Sequence, residues 1–291
     1  MNPTLVELKQ DRPGFAHFIG SWVCRGDHTI LVDVGPRRSI GQLAASLREM
    51  NIDKVDYILL THIHIDHAGG IGTFLEHFPM AKIICHETGI EHLVEPAHLE
   101  AASRKVLGDL VDTYGPISPV KREYFIPHGE ANINGLRIIE TPGHAAHHLS
   151  FSYERHLFAG EASGIYLNVE GKDYVRPATP PVFFLEEFVQ SIDRLLALED
   201  QIICYPHYGA NGSSHALLNR ARRQLFFWED IIRQEIAKSP SSLIRACLKR
   251  LLDSDSYLNA YADMDEDDQA RERMFMTHSI EGYLGYLAKK D

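Results

Sequence analysis

Apolar residues follow two periods in the first part of the chain. Short apolar runs of strand length occupy 29–33, 55–60 and 82–85. Between them, apolar residues recur every third or fourth position over 38–50 and 71–78, which predicts amphipathic helices. Because alternating strands and helices are typical of a sheet covered by helices, the pattern predicts an α/β fold.

The middle of the chain returns to strand patterns. Asn134-Gly135 predicts a hairpin that joins strands at 131–133 and 136–140. Further apolar runs predict three more strands, at 149–153, 157–159 and 202–205. The segment 86–122 predicts one or two helices, with His86, His92 and His98 as surface residues.

The end of the chain is helical in pattern. Apolar residues step by three or four over 217–236, 243–252 and 280–287. An amphipathic helix is also predicted at 185–196. We therefore expect a main α/β domain over 1–211 and a helical C-terminal extension over 212–291.

Composition narrows the class of protein. The net charge of −11 argues against nucleic acid as a partner, since phosphate binding needs a positive field. Four scattered cysteines without a Cys-x-x-Cys pair indicate a reducing compartment. The first ten residues lack a signal-peptide pattern, and no apolar run approaches the roughly 20 residues that cross a bilayer. We expect a cytoplasmic protein without a membrane partner.

The stretch 61–70 concentrates potential metal ligands. His62 and His64 lie two residues apart, so in an extended chain both side chains face one ion. Asp66 and His67 are neighbours that would point apart in such a chain, and they can serve a second ion. The Gly69-Gly70 pair that follows permits a tight turn into the helix predicted at 71–78.

This stretch resembles the signature of the metallo-β-lactamase superfamily. Four more segments match that pattern by order and spacing, at 31–35, 141–144, 158–161 and 205–209. The resemblance covers about residues 15 to 210 and implies an αββα sandwich, here with a C-terminal helical extension. The run 141–150, Thr-Pro-Gly-His-x-x-x-His-x-Ser, is most similar to the glyoxalase II-like branch.

The resemblance implies a centre with two divalent metal ions. It assigns one ion to the three histidines His62, His64 and His144. It assigns the other to Asp66, His67 and His207. Glu161 would bridge the two ions, although the superfamily usually has Asp at that position. Imidazole and carboxylate ligands suit Zn, our first expectation, and also Fe or Mn.

Three residues of the matched stretches are not proposed as ligands. Asp33 either caps a loop or, as the resemblance implies, supports the metal loops from behind. The resemblance gives His148 a similar supporting role. His147 departs from the family pattern, which usually has Gly there, and it lies either at the pocket rim or on the surface.

Candidate substrate-binding residues lie in the segment 163–181. This segment is long and proline-rich, and we expect it to form an irregular wall of the cleft. Tyr166, Tyr174 and Arg176 either hold an anionic or carbonyl-bearing substrate or are two packed tyrosines and a solvated arginine. Tyr208, next to His207, either donates to a developing oxyanion or packs at the core or rim.

The leading functional hypothesis is a hydrolase in which a metal-bound hydroxide attacks an ester, thioester, lactone or phosphoester of a small molecule. Asp66 would also orient the proton of that hydroxide. One alternative is a non-haem iron oxidoreductase, similar to a dioxygenase, on the same fold. Another is a non-catalytic effector that dimerises through its helical tail. A homodimer is compatible with each of these hypotheses.

Overall fold

The computed structural model describes residues 2–290. Two compact units divide the chain: one runs up to Ile138 and includes His147–Glu154, and the other comprises Ile139–Ala146 and the chain from Arg155 onward. The boundary predicted between 1–211 and 212–291 stays a prediction.

The first unit is built on a six-stranded sheet whose strands follow one another in chain order. The strands are β1 Thr4–Glu7, β2 Gly20–Arg25, β3 Thr29–Val32, β4 Tyr57–Leu59, β5 Lys82–Cys85 and β6 Phe125–Pro127. β1, β2 and β3 pair antiparallel, whereas β3 to β6 pair parallel. Parallel strands require crossovers, and helices supply them here.

The helices of this unit are α1 Ile40–Glu49, α2 Ile65–Ala68, α3 Ile71–His77, α4 Glu87–Val94, α5 Ala97–Leu107 and α6 Leu110–Tyr114. In α1 the residues Ile40, Leu43, Ala44 and Leu47 have no exposed surface, which confirms the predicted amphipathic pattern. Three helices lie in the segment 86–122, where the sequence predicted one or two.

Two further strands follow, β7 Arg137–Glu140 and β8 Leu149–Tyr153. The hairpin predicted from Asn134-Gly135 is wrong, because residues 131–133 form no strand. Ala131 N instead donates to His128 O, which closes a short turn of 3-10 helix at His128–Glu130. Residues 133–136 do form a turn, since Leu136 N donates to Ile133 O. The segment predicted as the first strand is instead engaged, through Ala131, in the turn at His128–Glu130.

The second unit contains β9 His156–Phe158, β10 Ile165–Val169, β11 Lys172–Arg176, β12 Ile202–Tyr205 and β13 Gly209–Asn211. β12 pairs parallel with β9 and antiparallel with β13. β10 and β11 form an antiparallel hairpin, so the prediction of an irregular wall over 163–181 is wrong in its central part. Glu170 and Gly171 both have positive φ, 50° and 84°, which is the geometry of a two-residue hairpin turn.

The helices of the second unit are α7 Leu185–Leu196, α8 Ser214–Lys238, α9 Leu243–Ser254 and α10 Glu266–Lys290. The predicted α/β class with a helical C-terminal region is confirmed, and α10 is much longer than the predicted 280–287. Trp228 of α8 and Tyr283 of α10 are fully buried, so these helices carry a core of their own. Within residues 2–290, no helix is long and apolar enough to cross a membrane.

The four cysteines, Cys24, Cys85, Cys204 and Cys247, are all free and buried. Burial raises the pKa of Cys24 and of Cys85 to about 12. Burial also raises the pKa of Cys247 to about 11. Cys85 and Cys204 are each 1% exposed, so both are small residues of the core.

Candidate metal centre

The stretch after β4 presents histidines from a buried loop. Ile63 and Ile65 are 2% and 1% exposed, so these two apolar side chains fix the loop to the core. The ring centroid of His62 lies 4.5 Å from that of His64 and 4.2 Å from that of His67. The three imidazoles therefore face a common region.

The chain is helical, not extended, at the second half of this stretch. α2 spans Ile65–Ala68 and includes Asp66 and His67. Asp66 Oδ2 lies 3.7 Å from His67 Nε2, so the expectation that these neighbours point apart is wrong. One turn of helix replaces the strand geometry that alternates side chains, and it brings both donors to one side.

Asp33 holds the ligand loop through its carboxylate. This residue is 1% exposed and accepts hydrogen bonds from Thr61 N at 2.8 Å and Thr61 Oγ1 at 2.7 Å. Its Oδ2 lies 2.9 Å from His67 Nδ1. A carboxylate only accepts, so Nδ1 carries the proton and Nε2 keeps its lone pair for a metal ion. These are the contacts that a supporting carboxylate makes.

His144 is aimed by a backbone that only glycine allows. Gly143 has φ of 150°, and a Cβ on it would lie 2.8 Å from Phe188 Cα. The next residue, His144, is 8% exposed. Its Nδ1 lies 3.0 Å from the carbonyl oxygen of Ala178, so Nδ1 donates there. Its Nε2 lies 2.8 Å from Glu161 Oε2.

Donor atoms of the seven predicted ligands converge in two groups, each with all its atoms within 4.8 Å of one another. The first group is His62, His64, His144 and Glu161. The second is Asp66, His67 and His207. Glu161 belongs to the first group only, so its bridging role stays a prediction.

The donor chemistry fits divalent metal ions. The two groups offer imidazole nitrogens and carboxylate oxygens and no thiol, a set suited to Zn, Fe or Mn. Most of these side chains are buried, and His67 and His144 each have Nδ1 committed to a fixed acceptor. Their Nε2 atoms are therefore preorganised for binding, and the identity of the metal is left open by the donors.

Two more histidines lie beside the ligand rings. His148 is fully buried, and its ring centroid is 5.2 Å from that of His62. His147 is half-buried, with its centroid 6.4 Å from His62 and 6.0 Å from His64. Of the two placements considered for His147, the rim of the site is the one these distances favour. The supporting role of His148 stays a prediction.

A third group of donors, His86, His128 and Glu140, was not predicted. His86 Nδ1 accepts from Thr88 N and caps α4. An imidazole that accepts at Nδ1 carries its proton at Nε2 when neutral, which removes that atom as a ligand. The ring of His86 stacks on that of His128 at 4.6 Å.

The residues predicted to contact substrate are mostly buried. Tyr166 and Tyr174 are 3% and 0% exposed, and Tyr166 donates to Asp173 Oδ1. Arg176 is 3% exposed and donates from Nε to Glu272 Oε2, so the alternative of a solvated arginine is wrong. Tyr208 is half-buried. Packing is favoured for the two tyrosines of the hairpin, and substrate contact by any of the four stays a prediction.

Sequence reasoning missed two partners of the predicted site residues. One is the carbonyl of Ala178, which every residue possesses and which no motif marks. The other is Glu272, the buried partner of Arg176 on α10. A glutamate in a charged helical stretch carries no sign that it is buried, whereas the carboxylate of Asp33 closed a recognisable strand pattern.

Comparison with known proteins identifies the family. The model of the metallo-beta-lactamase superfamily matches residues 12–207 of this chain. The chain is 32% identical over 201 residues to the metallo-beta-lactamase fold-containing protein ST1585 of Sulfurisphaera tokodaii, covering 64% of this chain and 71% of that protein. It is 29% identical over 185 residues to a hydroxyacylglutathione hydrolase of Aeromonas salmonicida, covering 63% and 58%.

Solved structures show the same fold. The crystal structure of the archaeal protein ST1585 from Sulfolobus tokodaii gives a TM-score of 0.68 at 23% identity, covering 98% of this chain and 99% of that one. The metallo-beta-lactamase family protein TTHA1429 of Thermus thermophilus also gives 0.68 at 23% identity, with coverage of 99% and 93%. Taken with the family match over 12–207, these findings show that the chain belongs to the metallo-β-lactamase superfamily.

Proposed function

We propose that this protein is a hydrolase that depends on two divalent metal ions and acts on a small molecule. The observation that carries the proposal is the convergence of seven imidazole and carboxylate donors into two groups. The members of each group come from separate segments of the chain, which a histidine-rich turn without a function does not explain. Zn is the metal we expect, with Fe and Mn as the other candidates.

The chain itself prepares the ligands for this role. Asp33 accepts a hydrogen bond from His67 Nδ1, and the Ala178 carbonyl accepts one from His144 Nδ1. Both contacts fix the tautomer that leaves Nε2 available to metal. The two acceptors therefore set the orientation of the ligand rings as well as their tautomer.

The two donor groups would hold the ions, and bound divalent ions would supply a water of lowered pKa, toward about 7, and polarisation of the oxygen under attack. We propose that Asp66, whose side chain is 16% exposed and belongs to the second donor group, would also hold the proton of that water. No cysteine competes as a nucleophile: all four are buried, and burial raises the pKa of Cys24, Cys85 and Cys247.

The substrates to consider are esters, thioesters, lactones and phosphoesters. The similarity to a protein named hydroxyacylglutathione hydrolase supports thioesters as the first class to test. A phosphodiester and a β-lactam complete a useful panel, since both probe the same chemistry with different leaving groups.

Elemental analysis of the purified protein and this panel test the proposal together. We expect two ions per chain and hydrolysis of at least one carbonyl or phosphoryl substrate. His64→Ala should lose an ion and lower kcat/KM by more than the roughly 10–100-fold that loss of an outer partner costs. His92→Ala is the matched control, because His92 is exposed on α4 and belongs to none of the donor groups.

Other results would overturn the proposal. A protein that carries both ions and hydrolyses nothing in the panel would not be a hydrolase of these classes. Consumption of oxygen by an iron-loaded protein, abolished by His64→Ala, would assign the same donors to redox chemistry.

A further inference from the structure

The segment that carries the Ala178 carbonyl is held by the C-terminal helix α10. Arg176 Nε donates to Glu272 Oε2 at 2.5 Å. Ser279 Oγ donates to the carbonyl oxygen of Pro177 at 3.1 Å. Thr179 Oγ1 donates to the carbonyl oxygen of Ser279 at 3.2 Å. Every residue from 176 to 179 except Ala178 therefore takes part in a polar contact with α10.

Gly282 allows the helix to approach this segment closely. A Cβ on Gly282 would lie 1.9 Å from the carbonyl oxygen of Thr179, so no other residue fits without a shift of one backbone. Glycine inside a helix is unfavourable relative to alanine, and its presence here is explained by the contact. Glu272, Ser279 and Gly282 together form what we call the α10 clamp.

The clamp is buried, so removing one partner of its charged pair is costly. Arg176 is 3% exposed, Glu272 has no exposed surface, and Ser279 is 3% exposed. Arg271 adds a second hydrogen bond to Glu272, from Nε to Oε1 at 2.9 Å. A buried charged pair that is fully hydrogen-bonded holds one geometry, because any movement leaves an uncompensated charge.

The carbonyl between the clamped residues points to His144. Ala178 O is 3.0 Å from His144 Nδ1, while Nε2 of the same ring lies 2.8 Å from Glu161 Oε2. Partners on the far side of a ligand imidazole set its tautomer and orientation, and their loss costs about 10–100-fold in metal affinity.

We propose that α10 is a positioning element of the metal centre. The α10 clamp fixes residues 176–179, the Ala178 carbonyl at their middle fixes His144, and His144 presents Nε2 to the ion. This inference rests on the proposed metal centre. It gives the C-terminal helix a role in metal binding although none of its residues is among the predicted ligands.

Two glycines of α10 provide the test. Gly282→Ala forces Cβ against Thr179 O, whereas Gly285→Ala makes the same substitution three residues later, where no atom lies within 4 Å. We expect Gly282→Ala to weaken the affinity for one of two Zn²⁺ ions by about 10–100-fold in competition with a chelator. The Co²⁺-loaded variant should show an altered visible spectrum. Gly285→Ala should match the wild type in both measurements.

A milder pair of variants guards against a Gly282→Ala protein that does not fold. Ser279→Ala removes the hydroxyl that donates to Pro177 O. Thr277→Ala removes a hydroxyl of the same helix that donates to the carbonyl of Arg273, within α10. Ser279→Ala should weaken one ion and alter the Co²⁺ spectrum, whereas Thr277→Ala should do neither.

The outcomes separate this inference from the proposed function. A wild-type protein that binds no ion overturns the metal centre itself. A wild type with two ions, together with folded Ser279→Ala and Gly282→Ala variants of unchanged affinity and spectrum, overturns only the role of α10. Equal weakening by both glycine variants also overturns it, because a general effect on the helix would then explain the loss.

Discussion

His67 and His144 are anchored in different ways. Each donates from Nδ1 to an acceptor 34 residues away in the chain, at 2.9 Å for His67 and 3.0 Å for His144. The acceptor of His67 is the carboxylate of Asp33, which Thr61 of the same ligand loop also holds. The acceptor of His144 is a backbone carbonyl, and what holds it lies about a hundred residues further on.

The difference separates two ways of building a precise site. A charged anchor acts by itself, since its own hydrogen bonds fix it. A carbonyl has no freedom or charge of its own, so its position is that of the backbone segment around it. The first anchor therefore depends on one side chain and the second on the packing of a helix.

Loss of the carboxylate anchor should have the largest effect. Asp33→Ala leaves Thr61 N, Thr61 Oγ1 and His67 Nδ1 without their buried acceptor. We expect the free energy of unfolding of the metal-free protein to fall by about 3–5 kcal/mol, measured by urea denaturation. Asp33→Asn is the control: asparagine tolerates the φ of 55° at this position and keeps one acceptor oxygen. Equal losses in both variants would mean that the charge, not the hydrogen bonds, matters.

Breaking the second anchor from its far end should cost somewhat less. Glu272→Gln leaves Arg176 and Arg271 without their buried counter-charge, and we expect a loss of about 3 kcal/mol in the same measurement. Replacing both Arg176 and Glu272, as in Arg176→Met with Glu272→Leu, should recover part of it, because Arg271 keeps Asp268 as a counter-charge. If the double variant regains stability but binds metal as weakly as Glu272→Gln, the clamp affects metal binding and stability separately.

The same pair predicts a pH dependence. Burial alone would raise the pKa of Glu272, but the charges of Arg176 and Arg271 outweigh it and hold the pKa below the ordinary 4.5. The stabilisation by this group is therefore complete above pH 4.5 and is lost as pH falls through the lowered pKa of the folded state. The wild type should lose stability across this acid range, and Glu272→Gln should lose less, as urea denaturation at several pH values will show.

The effects of the two anchors on metal binding can be compared through one quantity, the free energy of unfolding with and without metal. With free Zn²⁺ at about a hundred times Kd, each site should add about 2.7 kcal/mol to the free energy of unfolding, and a chelator should abolish this. A tenfold loss of affinity in Asp33→Asn or in Ser279→Ala should reduce the increment by about 1.4 kcal/mol. If the metal-dependent increment in the free energy of unfolding is unchanged in one of these variants, the anchor altered in that variant does not influence the ion.

The smallest effect is expected at the exposed end of α10. Lys290 Nζ lies 2.6 Å from Glu186 Oε1, and hydrogen bonds from Lys290 and Tyr286 hold the pKa of Glu186 at about 2. Both members of this pair are about half exposed. We expect Lys290→Ala to change the free energy of unfolding only slightly, because solvent screens an exposed ion pair, and to leave metal affinity unchanged. A larger loss would mean that the helix end, and not only the α10 clamp, holds residues 176–179.

The features that could be predicted from the sequence are those marked by the type and spacing of side chains. The α/β class, the helical end and the family followed from periodicity and from the ligand motif, and Asp33 was recognised as a carboxylate closing a strand. The one-turn helix α2 was missed because a His-x-His-x-Asp pattern also fits an extended chain. The Ala178 carbonyl and the burial of Arg176 and Glu272 depend on tertiary packing, which no local pattern reveals.

The buried cysteines described above have a practical consequence for metal chemistry. Thiols that are shielded and hard to deprotonate neither scavenge soft cations nor react with air, so a titration with zinc or cobalt counts imidazole and carboxylate sites alone. Because the thiols are shielded in the folded protein, their reactivity also reports on how fast the fold opens. A thiol reagent added to the native protein should react only as fast as the molecule opens, and its rate will separate local loosening near α9, through Cys247, from global unfolding.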